Sequence, residues 1–453
     1  MTPVCEIEKK ETMLQKIIRT MIILWLLLIP YRIATAGAGK TLGRTVDPVV
    51  MQGAVFALFS GVPLDQLALL VMQQGQVSPI PFQIDERASN GRFAYETWLA
   101  GDPVVDDGLL DANDELVFMA ADTGDRADAD TDFGADTCAE ITLKDPDDDT
   151  AGYAYLCRYT NGDAPRSTKD YVDFDIEADQ VNAADYILGY DPKAPIAIGK
   201  LIVRPSFGGS GQDVADRLKI RVKATVAMNM FSLSRNEEDF LIETTGYTDG
   251  PVRVIRRSKS WQNLIWNIPS PASHVTVVYY RNQMSFPINL ELPFDMSAFF
   301  RDVSMRVSVD TPPNVPGRKY YSDRNPGGVL IDGKMSEAEK NLDPGQVGWQ
   351  VVAGSTPDHR EGWFQRQVVR GNGQKVSMPL FYRDDADTPD GPERFRGSHG
   401  NLGFTLSGVQ NLKKGSIELY VQQFPLVDYK PGDEDRFLKV LDRPLETEVR
   451  RLF

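Results

Sequence analysis

The sequence predicts a mostly β protein, made of antiparallel β-sandwich modules with very little helix. Polar and apolar residues alternate with a period of two in several segments, which is the pattern of half-buried strands. Glycine and proline, which favour turns, are frequent at 37 and 29 residues. Long amphipathic helical patterns are scarce. Short strands joined by many turns are typical of β-sandwiches.

Residues 1–36 have the features of a secretory signal peptide. Basic residues precede an apolar run at Met21–Pro30, and Ala34–Ala36 has the small-x-small pattern that signal peptidase accepts. The run is about half of the roughly 20 residues that a membrane-spanning helix needs. We predict cleavage after Ala36 and export to the periplasm or the cell exterior, with a signal anchor as the alternative and Met13 as an alternative start. No transmembrane span is predicted in the mature chain.

The mature chain is long enough for two or three modules, each with its own core. We predict an N-terminal β module at 37–166, a central β-sandwich at 167–310, a Pro/Gly-rich linker or loop at 311–345, and a C-terminal β region at 346–453.

Local patterns assign individual elements. The clearest strands are Arg217–Val226, Asp302–Asp310, His274–Tyr280 and Ser416–Val421. Paired strands are predicted between residues 54 and 87, broken at Gln74-Gly75. Gly362–Arg383 is predicted to be a hairpin that turns at Gly371–Gln374. A short helix is predicted at Ser336–Leu342, where Ser336 can act as the N-cap.

Two cysteines remain after the predicted leader is removed, Cys138 and Cys157. The midpoint between them falls in a predicted turn at 146–152, which contains three aspartates and a glycine. The two cysteines would therefore face each other on a hairpin, within reach of a disulfide. Because an exported protein enters an oxidising compartment, we predict that they are bonded. Two buried free thiols are the alternative.

Residues 102–149 carry an acidic excess as large as that of the whole chain. This segment has seventeen acidic and two basic side chains, an excess that equals the formal net charge of −15 for the whole chain. Carboxylates at this density repel one another unless cations or solvent screen them. The segment therefore predicts either a metal site, with calcium as the cofactor, or a solvated acidic loop.

Two parts of the acidic segment have a spacing that suits calcium, which prefers six to eight oxygen ligands. The candidate ligands are Asp106, Asp107, Asp111 and Asp114 in the first part, and Asp128, Asp130 and Asp132 in the second. Neither part is a true EF-hand. In the second, Phe133 stands where the EF-hand loop needs glycine, and Ala139 stands at its twelfth position. Both parts are compatible with calcium loops between strands.

Composition and motifs argue against several classes of function. The three histidines have no HExxH or paired spacing, which argues against a zinc enzyme. The sequence has no GxSxG elbow, phosphate-binding loop or dinucleotide fingerprint. A sequence pI of about 4.8 argues against nucleic acid as a partner, because phosphates require positive charge.

One strand is densely basic. Arg253, Arg257 and Lys259 would share one of its faces, and Arg256 would point away. Such a face can hold an anionic sugar through bidentate contacts. Ion pairing with the acidic segment is the alternative.

Four tryptophans can stack on sugar rings: Trp261, Trp266, Trp349 and Trp363. We take Trp261 and Trp363 as ligand-binding candidates, although burial in the core is the common fate of this residue. If the protein is an enzyme, the catalytic candidates are His399 in a Gly-rich loop, Tyr279, and Arg257, which can neutralise a uronate. Asp85 or Glu86, together with His399 or Tyr279, would then act as acid and base.

Two phrases resemble secreted carbohydrate-active β proteins. Gly61–Leu67 followed by Ile80–Glu86 is similar to the opening strand pair of rhamnogalacturonan-lyase-like proteins, and Asp249–Arg253 is similar to a strand opening in mutarotase-like supersandwich domains. The resemblance implies polysaccharide binding or cleavage. No catalytic histidine or Tyr–Arg set of those families maps onto this chain.

The sequence therefore supports three hypotheses. The first is an exported, calcium-stabilised β-sandwich protein that binds a glycan or another envelope component. The second is a polysaccharide lyase or hydrolase that acts on acidic glycans. The third is a structural envelope subunit.

Overall fold

The computed structural model describes residues 38–161, 164–226, 232–262, 272–292, 294–314, 317–371 and 376–453. The predicted fold class is confirmed, because the chain is mostly β and the paired strands are antiparallel. The predicted signal peptide, residues 1–36, lies outside the described residues. Within the described residues, no helix is long and apolar enough to cross a membrane.

The strands are numbered in chain order. The first eight are β1 Pro48–Gln52, β2 Leu67–Gln73, β3 Gln76–Pro79, β4 Phe82–Asp85, β5 Thr97–Trp98, β6 Glu115–Met119, β7 Thr137–Lys144 and β8 Ala151–Arg158. The next eleven are β9 Val172–Asp175, β10 Gln180–Ala183, β11 Tyr186–Asp191, β12 Ala194–Val203, β13 Arg217–Val226, β14 Ser232–Asn236, β15 Phe240–Asp249, β16 Arg253–Gln262, β17 Ser273–Tyr280, β18 Gln283–Leu292 and β19 Phe300–Asp310. The last eight are β20 Arg318–Ser322, β21 Val329–Ile331, β22 Trp349–Gly354, β23 Glu361–Gly371, β24 Leu380–Asp385, β25 Ser398–Ser407, β26 Gly415–Val427 and β27 Glu446–Arg451. The described α-helices are α1 Glu337–Lys340 and α2 Asp435–Asp442.

The N-terminal part is a two-layer sandwich. A three-stranded sheet of order β1-β6-β4 packs on a five-stranded sheet of order β27-β7-β8-β2-β3. Every residue of β6 is buried, because its two faces pack on different cores. Leu116 and Phe118 join the sandwich core, and Val117 and Met119 pack against Tyr280 of the neighbouring sheet. The three-stranded sheet is therefore a middle layer.

The Cys138–Cys157 pair lies on the β7–β8 hairpin. The two cysteines are directly opposite each other in the register, with Cα atoms 4.2 Å apart. The predicted pairing is thus confirmed as a cysteine pair at disulfide distance. The predicted turn at Gln74-Gly75 is also present between β2 and β3. Both of its residues have positive φ, 51° and 77°, as a two-residue type I′ hairpin turn requires.

The rest of the chain forms three further sheets. Their orders are β12-β11-β10-β9, β14-β13-β19-β25-β24, and β21-β20-β22-β23-β26-β18-β17-β16-β15-β5. Residues from all three meet in the largest core, among them Tyr186, Leu201, Tyr279, Val309 and Trp363. The ten-stranded sheet thus has one face on this core. Part of its other face lies against the middle layer of the N-terminal sandwich.

The sheets cross the predicted module boundaries. Strand β27, at the end of the chain, pairs with β7 in the predicted N-terminal module. Strand β5 pairs with β15, and β19 pairs with β25. The predicted modules therefore share sheets, because antiparallel partners here are often far apart in sequence.

The predicted Gly362–Arg383 hairpin is wrong. Strand β23 pairs with β22 on one side and with β26 on the other, so both of its edges are occupied. Strand β24 pairs with β25 in a different sheet. Of the predicted turn, Gly371–Gln374, residues 372–374 lie outside the described residues.

The two helices differ in how well their ends are marked in the sequence. Helix α1 confirms the predicted N-cap, because the Ser336 hydroxyl accepts the Glu339 N–H while the Glu339 carboxylate accepts the Ser336 N–H. Helix α2 was not predicted. Its N-cap, Glu434, has helical dihedrals and makes no side-chain cap, so no start signal precedes it. It is held by Phe437, which packs on the rings of Phe364 and Phe424.

Candidate functional site

The basic strand β16 begins in a buried ion-pair network. Arg253 donates to Asp85 at 2.8 Å, to Glu115 at 2.5 Å and to the Tyr280 hydroxyl at 3.1 Å. Burial alone would lower the pKa of Arg253, but Asp85, Tyr280 and Glu115 raise it overall. Arg253 is therefore structural, and its predicted ligand-binding role is not supported. The alternative of pairing with the acidic segment is observed through Glu115.

Further along β16, the same face becomes partly exposed. Arg257, Lys259 and Trp261 are half-buried on the side of the strand that carries Arg253. Arg256 points the other way, is buried, and pairs with Asp179 at 2.9 Å. The predicted division of the basic residues between the two faces is confirmed. It follows from the period-two geometry of a strand.

An aromatic segment, Arg92–Trp98, crosses this face next to β15. The ring centroids of Phe93 and Tyr95 are 6.0 Å apart, and those of Tyr95 and Trp98 are 5.2 Å apart. Trp98 and Arg257 are both register partners of Gly246 on β15. A Cβ atom at Gly246 would lie 3.4 Å from the Tyr95 ring and 3.1 Å from a backbone oxygen. The missing side chain therefore lets the aromatic segment lie close to the sheet, beside Arg257.

We name as the aromatic–cationic face the six residues Arg92, Trp98, Arg257, Lys259, Trp261 and His274. The guanidinium carbons of Arg92 and Arg257 each lie 5.7 Å from the Trp98 ring centroid, and Lys259 Nζ lies 5.4 Å from the Trp261 ring. These are cation–π distances. His274, on β17, is exposed and directly opposite Lys259 in the register.

The charge of this face is largely uncompensated. Within the described ranges, Arg92, Arg257 and Lys259 form no ion pair. The Arg92 guanidinium donates to the Asp102 carbonyl, and the Arg257 guanidinium donates to the Thr245 hydroxyl. Glu243 lies opposite Lys259 on β15 without forming an ion pair with it. The face therefore concentrates positive charge on a protein whose formal net charge is −15.

The pKa values of the face reflect this concentration. Burial, and then the neighbouring Arg92, lower the pKa of Arg257. Partial burial of the ring and the cations Arg257, Lys259 and Arg92 lower the pKa of His274. The indole N–H of Trp98 is buried and has no acceptor among the described residues. The arrangement can therefore donate hydrogen bonds to an anionic group and stack an apolar ring face against indole.

Three carboxylates, two of them from the acidic segment, converge in a second place. Ligand atoms of Glu86, Asp106 and Asp107 lie within 4.8 Å of one another. Glu86 accepts the Gly108 N–H at 2.6 Å, and one oxygen of Asp106 is buried without a partner in the described chain. Burial, together with the charges of Asp106, Asp114 and Asp107, raises the pKa of Glu86. Oxygen ligands in this arrangement suit a hard divalent cation such as calcium.

The other predicted metal ligands do not join this cluster. Asp114 is buried and accepts the backbone N–H groups of Arg87 and Asp111, so it shapes the loop. Asp111 is half-buried beside it. The side chains of the second predicted set lie on the surface: Asp128, Asp130 and Asp132. Within the described residues this set forms no converging group, so calcium binding there remains a prediction.

The structure does not bring the catalytic candidates together. Tyr279 is buried, bonds to the Tyr190 hydroxyl and faces the opposite side of the sheet from Arg257. His399 lies on β25 in another sheet, where its backbone N–H donates to the Asp310 carboxylate at 2.8 Å. Asp85 is buried in its ion pair with Arg253.

Of the tryptophan candidates, Trp261 lies on the aromatic–cationic face. Trp363 is 1 % exposed within the largest core, so its predicted ligand-binding role is not supported. Trp349 stacks on Phe364, and Trp266 lies outside the described residues.

Sequence reasoning missed four of the residues that form the two sites: Arg92, Trp98, His274 and Glu86 as a metal ligand. The signal for the first two was the compact run Arg92–Trp98, which carries three aromatic residues beside an arginine. Glu86 and the acidic loop are joined only by the fold.

Comparison with known proteins gives weak structural likenesses. No family model and no curated protein matches the chain. An α-mannosidase from Enterococcus faecalis V583 is 9% identical with a TM-score of 0.48, over 91% of this chain and 45% of that protein. A glycosyl hydrolase family 38 protein from Enterococcus faecalis is 8% identical with a TM-score of 0.47, over 92% of this chain and 46% of that protein. The Slr1438 protein of Synechocystis sp. PCC 6803 is 12% identical with a TM-score of 0.32, over 59% of this chain and 99% of that one.

The chain thus spans less than half the length of the two enterococcal proteins. TM-scores below 0.5 establish neither a shared family nor a shared activity. The resemblance predicted from sequence holds for the β-rich fold, and the likeness to rhamnogalacturonan lyases is not supported.

Proposed function

We propose that the chain is an exported protein that binds an anionic glycan through the aromatic–cationic face. The observation that carries this proposal is the meeting of Arg92 and Arg257 on the ring of Trp98, without carboxylate partners in the described residues. A carboxylate or sulfate group can accept hydrogen bonds from the guanidinium groups of Arg92 and Arg257. The apolar face of a sugar ring can then pack on Trp98 or Trp261.

Export rests on the signal-peptide pattern of residues 1–36 and places the proposed ligand in the periplasm or outside the cell. The described residues offer no assembled acid–base set near the face. Binding without turnover is therefore favoured over the lyase or hydrolase alternative. No observation in the described structure specifically favours a structural envelope subunit.

Binding of polygalacturonate, measured by isothermal titration calorimetry at low salt, tests this proposal. We expect Arg257→Gln to weaken binding roughly ten- to hundred-fold, because a hydrogen bond to a charged group contributes about 1.5–3 kcal/mol. Trp98→Leu should also weaken binding, because it removes the aromatic surface on which a sugar ring packs. Uncharged pullulan should bind weakly or not at all to every variant.

Arg370→Gln is the matched control. Arg370 is also an arginine beside an aromatic ring on the ten-stranded sheet, 5.7 Å from Tyr420, but Glu418 lies 4.0 Å from it. This variant should bind as the wild type does. Equal losses in Arg257→Gln and Arg370→Gln, or equal binding of pullulan and polygalacturonate, would overturn the proposal.

We also propose that Glu86, Asp106 and Asp107 hold a calcium ion that stabilises the N-terminal module. Their mutual repulsion should be relieved by the ion, so EDTA is expected to lower the melting temperature and added calcium to restore it. At a free calcium concentration of one hundred times Kd, the gain is about 2.7 kcal/mol. Differential scanning fluorimetry measures the shift.

Glu86→Gln should abolish the calcium-dependent shift in melting temperature. Asp132→Asn, a change in the exposed second candidate set, should retain it. An unchanged melting temperature on chelation would show that the three carboxylates hold no stabilising ion.

A further inference from the structure

His274 is the member of the aromatic–cationic face whose charge can change near neutral pH. It lies opposite Lys259 in the β16–β17 register. Arg257 lies two residues before Lys259, on the same face of β16. Arg92 approaches from the crossing aromatic segment and adds a third cation to its surroundings. The described charged groups that face His274 are thus these three cations, together with Glu243 on β15 beyond Lys259.

We propose that binding of an anion at this face is coupled to proton uptake by His274, so that the face binds an acidic glycan more tightly in weakly acidic solution. This inference rests on the proposed function and names the residue that sets its pH dependence. The ligand class is a polymer that carries carboxylate or sulfate groups.

The physical reason is a change of field at His274. In the free protein, three nearby cations disfavour the imidazolium form, consistent with the lowered pKa of this residue. A bound anion neutralises much of that field and adds an acceptor, so it favours the imidazolium. Because binding and protonation are reciprocally linked, a ligand that favours the charged imidazole must bind more tightly to it.

The sign of the effect follows from this linkage. The pKa of His274 is lower in the free protein than in the complex, so binding takes up a proton at pH values between the two. Affinity should therefore rise as the pH falls through this window, and level off below the free-protein pKa. Arginine and lysine side chains stay charged throughout the window.

The experiment is calorimetric titration of the full chain with dextran sulfate and with polygalacturonate, at pH 5.5 and pH 7.5. The sulfate groups stay ionised at both pH values, so dextran sulfate removes any contribution from titration of the ligand. We expect affinity for both polymers to be about five-fold or more higher at the lower pH. Repeating the titration at intermediate pH, in buffers of different ionisation enthalpy, should show net proton uptake.

Two histidine variants complete the test. His274→Gln should bind with nearly the same affinity at both pH values, whereas His399→Gln, a change on another sheet, should retain the wild-type pH dependence. Equal wild-type affinity at the two pH values, or an unchanged pH dependence in His274→Gln, would overturn the coupling but leave the proposed function standing. If neither polymer binds at pH 5.5 or at pH 7.5, both the proposed coupling and the proposed function are overturned.

Discussion

Replacing Arg253 with methionine is expected to lower the free energy of unfolding by about 3–5 kcal/mol. The guanidinium is the shared partner of Asp85 and Glu115, and all three residues are buried. The substitution therefore leaves Asp85 in a low-dielectric interior without its counter-charge, and leaves Glu115 with Arg87, at 2.7 Å, as its remaining cationic partner. The loss can be measured by urea unfolding, followed by circular dichroism at neutral pH.

The pH dependence of this loss gives an independent check. Burial already raises the pKa of Asp85, even with Arg253 beside it. Without Arg253 the pKa of this carboxyl should rise further, so the folded state favours the protonated form. A group of this kind stabilises the folded state at low pH and loses that contribution as the pH rises. The variant should thus be less destabilised at pH 5 than at pH 8.

Arg370→Met provides the control, since Arg370 is largely exposed and such changes usually stay within about 0.5 kcal/mol. A decrease of less than about 1 kcal/mol in the free energy of unfolding of Arg253→Met would show that this ion-pair network contributes little to stability. Restoring neutrality with Asp85→Asn and Glu115→Gln in the Arg253→Met background should recover part of the lost stability.

Replacing Arg318 with methionine is expected to have the opposite effect on stability, and to raise the free energy of unfolding by about 1–3 kcal/mol. Arg318 is 1 % exposed, and none of its three side-chain nitrogens has a hydrogen-bond partner in the described structure. Burial lowers its pKa to about 10, despite the nearby charges of Glu361 and Asp213. The residue is therefore a buried cation without a direct protein partner, which is costly.

The two neighbouring carboxylates do not depend on Arg318. Glu361 accepts the Ser210 hydroxyl at 2.5 Å, and Asp213 pairs with Arg394 at 3.0 Å. Removing the guanidinium should therefore leave the direct hydrogen-bond and ion-pair partners of both carboxylates in place, in contrast to Arg253→Met. Urea unfolding of both variants under one condition makes the comparison direct. A loss of stability in Arg318→Met would show that the guanidinium makes favourable interactions that its protein neighbours do not provide.

The sequence by itself determined the features that depend on neighbours a few residues apart. The period-two pattern predicted β13 at Arg217–Val226 with its bounds, and placed Arg257 and Lys259 on one face of β16. Turn chemistry predicted the break at Gln74-Gly75, and the spacing around a turn predicted that Cys138 and Cys157 face each other. These features are local because backbone dihedrals and side-chain alternation are set by adjacent residues.

Only the tertiary structure decided which of these elements meet. It placed β23 and β24 in different sheets, and docked β27 against β7. It buried Arg253 while leaving Arg257 accessible on the same face, because the N-terminal sandwich covers only the first part of β16.

The same holds for the two candidate sites. Trp98 reaches Arg257 because β5 pairs with β15 across 148 residues of sequence, beside a glycine that leaves room for the aromatic segment. Glu86 meets Asp106 and Asp107 because the end of β4 lies against the acidic loop. Contacts of this kind depend on which buried faces fit together over long sequence distances, and local periodicity carries no information about that choice.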